Sequence, residues 1–152
     1  MKRYIGVKVV EAEPMTAPEF NEQVRPMKHY GESQEGYKVV YETGYESWSP
    51  KDVFDKAYRR IDGMTFGLAI EAMKKGFKVQ RKGWNGKGMF LYYVPAGHYA
   101  PCTKVAESIV GSDGKVEYGA YIAMKTAQGN VVPWLASQTD MLSEDWRVID
   151  NG

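Results

Sequence analysis

The stretch FKVQRKGWNGKGMFLYYV, residues 77–94, decides how the second half of this chain folds. Residues 77–81 alternate between apolar and polar side chains, as a half-buried strand does. Residues 83–88 contain three glycines, which permit the tight backbone turn that joins two strands. Residues 89–94 form a continuous aromatic and aliphatic run, typical of a strand that is buried or lines a pocket. We therefore predict two strands joined by a glycine-rich turn.

The sequence on either side extends these two strands into a larger fold. Upstream, Thr65 is a good N-cap for a helix whose apolar residues recur every three or four positions until Gly76. Downstream, residues 119–125 and 130–135 are predicted to form a hairpin, and residues 146–149 a last strand. The predicted fold class is therefore α+β, an antiparallel sheet with a few packed helices.

The first part of the chain is expected to form a small α+β module of its own. Residues 4–11 and 37–48 show strand-like alternation, and the polar, proline-containing stretch 14–35 between them is predicted to be a loop. A helix follows Ser49. We therefore predict an N-terminal module at residues 1–63 and a second, ligand-binding domain at residues 64–152.

Composition excludes several classes of function. The chain has 152 residues and a formal net charge of +1, whereas proteins that grip duplex DNA through its phosphates carry a clear basic excess. No apolar stretch approaches the roughly 20 residues that cross a bilayer. The single cysteine, Cys102, forms no internal disulfide, which fits a reducing cytoplasm. We expect neither a membrane nor DNA as a partner, and any anion site must be local.

Residues suited to catalysis are few. His29 and His98 have no second histidine or cysteine at metal-ligand spacing, so we expect no metal site. Cys102 and His98 resemble a nucleophile and its base, but the sequence beside them shows no third, orienting group. The carboxylates in residues 140–145 are ordinary for the first turn of a helix. We expect no catalytic residue, no cofactor and no enzymatic activity.

The glycine-rich turn is the first of two clusters that suit recognition of a nucleotide. Arg81, Lys82 and Lys87 place positive charge around backbone N–H groups that glycines leave accessible to an anion. Trp84 offers a ring face on which a nucleobase stacks. The alternative is a glycine-rich hairpin with solvated lysines.

The second cluster begins at Trp134 and leads through small polar side chains into a predicted helix. Backbone amides at a helix N-terminus bind phosphate, and Gln138 or Asp140 suits the edges of a base or ribose. The alternative is that the serine and threonine here only cap a turn and that Trp134 belongs to the core.

Four sequence blocks occur in order through the second half of the chain. They are MTFG (64–67), RKGWNGKGMF (81–90), YIAMKT (121–126) and VPWLASQTDML (132–142), and Glu144-Asp145-Trp146 closes the series. Together, over residues 64–150, they resemble the Thoeris anti-defense 1 family, small proteins of phages and prophages. Residues 1–63 lie outside the resemblance, and residues 95–117 are longer than in the shortest family members.

The resemblance implies a phage sponge that is not an enzyme. Such proteins bind cyclic ADP-ribose signals (glycocyclic ADP-ribose, gcADPR) from TIR-domain proteins and hold them intact, which blocks Thoeris immunity in the cytoplasm of the infected bacterium. It also implies a homo-oligomer, a dimer building to a hexamer with ligand at subunit interfaces, and possible binding of CBASS cyclic di- or trinucleotides. The ligand-binding residues carried over are Arg81, Trp84, Met89, Phe90, Lys125, Trp134, Gln138, Thr139 and Asp140.

Two alternatives to the sponge stay open. The first is a phage protein-interaction module whose aromatic residues bind a protein and no small ligand. The second is an enzyme that degrades the same signal, a phosphodiesterase or glycohydrolase, for which the sequence shows neither a metal set nor a nucleophile–base pair.

Overall fold

The computed structural model describes residues 1–27, 34–84 and 88–149. The chain divides into two compact units, Met1–Arg59 and Arg60–Gly152. Both combine helices with antiparallel strands, which confirms the predicted α+β class. The domain boundary expected after residue 63 stays a prediction, because a compact unit is not by itself a domain that folds alone.

The N-terminal unit is a three-stranded antiparallel sheet with two short helices. Its elements are β1 (Val10–Pro14), α1 (Ala17–Gln23), β2 (Gly36–Tyr41), β3 (Glu46–Pro50) and α2 (Lys51–Ala57), and the strand order is β1-β2-β3. A side chain at Gly36 would collide with the Ser49 carbonyl and the Trp48 ring, so only glycine fits there. The predicted hairpin of β2 and β3 is confirmed, with Gly44 in the left-handed region of the turn.

Three predictions for this unit were wrong in detail. The first strand starts at Val10 rather than at residue 4, and α2 ends at Ala57 rather than near Gly63. The stretch expected to be a loop contains α1, because Thr16 and Glu19 form a reciprocal capping box at its start. The prolines suggested a loop, but a proline in the first turn of a helix is compatible with it.

The C-terminal unit is built on a five-stranded antiparallel sheet. Its elements in chain order are α3 (Phe66–Lys74), β4 (Lys78–Arg81), β5 (Phe90–Val94), β6 (Gly97–Tyr99), α4 (Lys104–Glu107), β7 (Val116–Tyr118), β8 (Tyr121–Lys125), β9 (Val131–Pro133), α5 (Gln138–Leu142) and β10 (Trp146–Ile149). The strand order is β10-β4-β5-β8-β9, and β6 pairs with β7 in a separate ribbon. The ribbon was not predicted, since strands of three residues show too little alternation to be recognised.

Helix α3 covers one face of this sheet, and the residues between the helix and the sheet form the core. Thr65 caps its first turn by accepting a hydrogen bond from the Leu68 amide, and Gly76 follows its end with a φ of +93°, as predicted. The small residues Ala69 and Ala72 let the helix approach buried Leu91. Two other helices differ from prediction: α4 is only four residues long, and α5 is capped by Ser137 instead of Thr139.

The pairing register of the strands shows on which face of the five-stranded sheet each strand residue lies. Val79 lies opposite Leu91, and Leu91 lies opposite Met124, so all three share the face that α3 covers, which we call the inner face. Side chains alternate along a strand, and the neighbouring positions therefore belong to the outer face. The outer-face residues are Lys78, Gln80, Phe90, Tyr92, Val94, Tyr121, Ala123, Lys125, Val131, Pro133, Arg147 and Ile149. Over the parts of the chain that the structure describes, no helix is long and apolar enough to cross a membrane.

Candidate functional site

Four aromatic rings cluster at one end of the inner face. Trp146 is fully buried at the centre, with Phe66, Trp84 and Trp134 around it at centroid distances of 5.3, 5.5 and 6.0 Å. Trp84 follows β4 and Trp134 follows β9, so the fold brings together the two tryptophans that the sequence had placed in separate clusters. Both are only half-buried, and we call the pair Trp84 and Trp134 the tryptophan notch.

The notch has a defined shape. The two ring centroids are 6.2 Å apart and the ring planes meet at 63°, an edge-to-face arrangement. A flat nucleobase lies parallel to one aromatic ring when it stacks, so it cannot stack on both of these rings at once. A base bound at the notch would therefore stack on one tryptophan only, with the other ring at its side.

A charged cluster lies beside the notch and fixes the segments that carry it. The Arg81 guanidinium donates from Nε to Asp145 Oδ1 at 2.9 Å and from Nη1 to Asp140 Oδ1 at 3.0 Å. Asp145 Oδ2 accepts from the Gly83 amide at 3.1 Å, next to Trp84. Asp140 Oδ2 accepts from Ser137 Oγ at 2.7 Å, three residues after Trp134. We call Arg81, Asp140 and Asp145 the clasp.

The clasp holds more negative than positive charge. The hydrogen bond from Arg81 lowers the pKa of Asp145, and the Gly83 amide adds to this effect. Burial acts to raise the pKa of Asp140, but the hydrogen bonds from Ser137 and Arg81 outweigh it, and the pKa is lowered. Hydrogen bonds to Asp145 and then Asp140 raise the pKa of Arg81. One cation therefore faces two ionised carboxylates at neutral pH.

Arg81 and Asp140 were predicted to bind the ligand. In the structure both are hydrogen-bonded to other side chains of the protein. Helix α5 spans five residues, and its capping box places the Asp140 carboxylate at the N-terminus where a phosphate was expected. Gln138 and Thr139 are exposed on the same helix. Trp146, Asp145 and Ser137 were not among the predicted site residues, although the pattern Ser137-x-x-Asp140 is the sequence signature of a capping box.

Two other predicted residues lie away from the notch, on the outer face. Phe90 and Lys125 are cross-strand neighbours, and Lys125 Nζ donates to the Gly88 carbonyl at 3.2 Å. Met89 is half-buried, and its carbonyl accepts from the Gln80 side-chain nitrogen at 2.9 Å when that amide is turned to satisfy its neighbours. Phe90 and Lys125 thus lie on the other side of the sheet from Arg81, Trp84 and Trp134. The predicted contribution of Lys87, like that of His29, lies outside the described residues.

Two of the residues considered for catalysis, His98 and Cys102, lie in or near the β6–β7 ribbon. His98 Nδ1 is 3.0 Å from Asp113 Oδ2, so this histidine does have a carboxylate partner that the local sequence did not reveal. Cys102 is exposed and interacts with the Tyr118 hydroxyl, whose pKa is raised mainly by burial. Within residues 1–27, 34–84 and 88–149, no group of three or more His, Cys, Asp or Glu side chains could hold a metal ion.

A five-stranded antiparallel sheet with one covering helix and an aromatic notch at its end defines a class of small α+β domains. Comparison with known proteins identifies the family within that class. The family model of the Thoeris anti-defense 2-like domain matches residues 64–149. Thoeris anti-defense 2 of Bacillus phage SP01 is 35% identical over 94 residues, which cover 57% of this chain and 94% of that protein. The chain belongs to the Thoeris anti-defense 2-like family.

This result corrects the resemblance seen in the sequence. The quoted blocks all lie within the matched region, so the region and the defence system were identified correctly, whereas the assignment to family 1 was wrong. Short blocks of tryptophan, glycine and lysine locate such a domain, but a match along the whole domain is needed to tell two families apart. Membership supports a phage anti-Thoeris role, a form of immune evasion, for this protein.

Proposed function

We propose that this protein is a phage sponge that binds a cyclic ADP-ribose signal of Thoeris immunity, of the gcADPR type, and holds it unchanged in the cytoplasm of the infected bacterium. The observation that carries the proposal is the tryptophan notch within the family domain. The ligand combines an adenine ring with a diphosphate, and the notch suits the ring.

The notch is preorganised for stacking. Trp84 and Trp134 both pack against Trp146, which is 0% exposed, so their rings have few alternative positions. The clasp fixes the backbone on both sides of the notch through the Gly83 amide and Ser137. Because these side chains are already ordered, little binding free energy is spent on ordering them when a ligand stacks here. This favours the tight binding that a sponge needs.

The diphosphate requires cations other than Arg81. Because Arg81 is held by two carboxylates, it has little charge to offer a phosphate. Lys82 is exposed next to the clasp, and we propose that it contacts the diphosphate. We assign the remaining contacts to a second copy of the chain, so that the ligand is bound between subunits.

An exposed apolar surface beside the notch supports assembly into a homo-oligomer. Leu135 and Leu142 are 91% and 79% exposed, and Met141 is also exposed. Large apolar side chains that cluster on a surface mark interaction sites. We propose that this surface forms the subunit contact, in a dimer building to a hexamer. The same surface favours the second candidate function, a protein-interaction module, because another protein would cover it equally well.

We further propose that the protein does not turn its ligand over. The His98–Asp113 pair is more than 40% exposed on both sides, and Cys102 contacts Tyr118. Neither observation places a nucleophile and its base together beside the notch. We propose CBASS cyclic di- or trinucleotides as second ligands, and the experiment below tests them when those compounds replace the signal.

The test is capture and release. Purified full-length protein is mixed with the cyclic ADP-ribose signal from a TIR-domain enzyme, free ligand is removed, the protein is heat-denatured, and the released compound is identified by mass spectrometry. We expect the unchanged signal at a fixed molar ratio to protein. A converted product would make this protein an enzyme, and no captured ligand would favour the protein-interaction module. Cys102→Ser serves as a control and should capture as much signal as the wild type.

A further inference from the structure

The outer face of the five-stranded sheet differs in charge from the clasp. None of the residues in β4, β5, β8, β9 and β10 is an aspartate or glutamate. The outer face carries three cations, Lys78, Lys125 and Arg147, each on a different strand. None of the outer-face residues belongs to the core cluster beneath α3, and of the twelve only Ala123 is fully buried.

Aromatic rings lie among these cations. Lys78 Nζ is 5.2 Å from the centroid of the Phe90 ring, and the Phe90 and Tyr92 rings are 6.1 Å apart along β5. Tyr121 at the start of β8 is exposed. With the Gln80 side-chain amide turned so that its donors and acceptors are satisfied, its oxygen accepts from Arg147 Nη2 at 2.6 Å and Nε at 3.0 Å, which orients the guanidinium without neutralising it.

The arrangement suits an extended anionic ligand that carries rings. From β10 to β8 there are three strand spacings, so the line of cations is about 14 Å wide, more than a single phosphate group spans. Aromatic rings on a sheet with cations beside them form the platform on which single-stranded nucleic acids bind. A second copy of the same face would set cation against cation, which opposes self-pairing.

We propose that the outer face binds single-stranded nucleic acid, with bases stacked on Phe90 and Tyr92 and phosphates held by Lys78, Lys125 and Arg147. This site lies across the sheet from the tryptophan notch and takes a different ligand. The expectation that DNA is not a partner came from the net charge of the whole chain and concerned the duplex. The net charge of the whole chain does not describe the local charge of this face, whose strands contain no carboxylate.

The experiment measures fluorescence anisotropy of a labelled oligouridylate of about 12 nucleotides, a length within the range that small single-strand-binding domains cover. We expect the wild-type chain to bind it, with affinity that falls with salt at a log–log slope of about −2, as three phosphate contacts require. Lys78→Glu should weaken binding at least about tenfold and flatten the slope. Lys104→Glu, an exposed lysine on α4 with the same change in charge, should bind within about twofold of the wild type.

A second variant tests the rings. Phe90→Leu keeps an apolar side chain on the half-buried position but removes the stacking face, and we expect a loss of at least about fivefold. Thermal melts of each variant establish that it is folded. The proposal is overturned by an oligouridylate that fails to bind wild-type protein, by equal losses in Lys78→Glu and Lys104→Glu, or by competition from a mononucleotide as strong as from the strand. If Lys78→Glu changes the sedimentation coefficient of the protein and leaves its affinity for the oligouridylate unchanged, the outer face is a contact between subunits instead.

Discussion

The inner and outer faces of the five-stranded sheet use cations in opposite ways, although they are made of alternating residues of the same strands. On the inner face, Arg81 is only 17% exposed and donates to two carboxylates. On the outer face, Lys78 and Arg147 lie among rings and an amide, in strands that contain no carboxylate. Whether a cation is available to a phosphate therefore depends on the side chains around it, which for Arg81 come from α5 and from the residue before β10, and not on its position in a motif.

The largest expected effect separates two adjacent residues of β5. Leu91 is fully buried beneath α3, and Leu91→Ala should lower the free energy of unfolding by about 2–5 kcal/mol, since it leaves a cavity in the core. Tyr92 lies on the outer face, and Tyr92→Ala should cost no more than about 1 kcal/mol. Urea unfolding followed by tryptophan fluorescence measures both. Similar losses for the two variants would mean that the assignment of faces is incorrect.

The next largest effect concerns the clasp. Arg81→Ala leaves Asp140 and Asp145 without their shared cation, and we expect a loss of about 2–4 kcal/mol in the free energy of unfolding. Lys78→Ala is the matched control on the same strand. If Arg81→Ala proves as stable as the wild type, the clasp is not what holds the notch segments together.

A smaller effect appears in acid. The folded-state pKa values of Asp140 and Asp145 are lowered, so their contribution to stability is complete above about pH 4 and is lost as the pH falls through those values. Asp145→Asn should therefore destabilise the protein at pH 7 and lose less further stability than the wild type between about pH 4 and 2. Urea titrations at about pH 7, 4 and 2 measure the difference. A parallel acid decline in both proteins would contradict the assignment to Asp145.

The smallest expected effect is on the outer face. Lys78→Ala removes a partly exposed ammonium group from the Phe90 ring and should change the free energy of unfolding by no more than about 0.5 kcal/mol. Its acid unfolding should match that of the wild type. A loss as large as that of Arg81→Ala would mean that the outer face, too, is part of the structural framework.

Much of the fold was predictable because its signals are local. Thr65 and Gly76 bounded α3, and period-two alternation located most strands. Helix α1 was missed because its capping box lies in a proline-containing stretch. The site was harder to predict, since Arg81 meets partners 59 and 64 residues away, and no local pattern reveals such pairs.

The division of the predicted site residues has a similar origin. Phe90 begins a continuous apolar run, FLYYV, which indicates a strand but conceals which positions point to the core. The family resemblance grouped Phe90 and Lys125 with Arg81 and Trp134, and the run gave no sign that Phe90 lies on the other face. The two tryptophans belong to separate clusters in the sequence, and the resemblance assigned both to one site; the fold does bring them together.

The most direct test of the two-face account is a crossed binding experiment. Wild type, Trp84→Leu and Lys78→Glu are each dialysed to equilibrium against the cyclic ADP-ribose signal and, separately, against the oligouridylate. We expect Trp84→Leu to lose at least about tenfold in affinity for the signal and to keep its affinity for the strand, and Lys78→Glu to do the reverse. If either folded variant loses both ligands together, the two faces do not hold separate sites and the account is wrong.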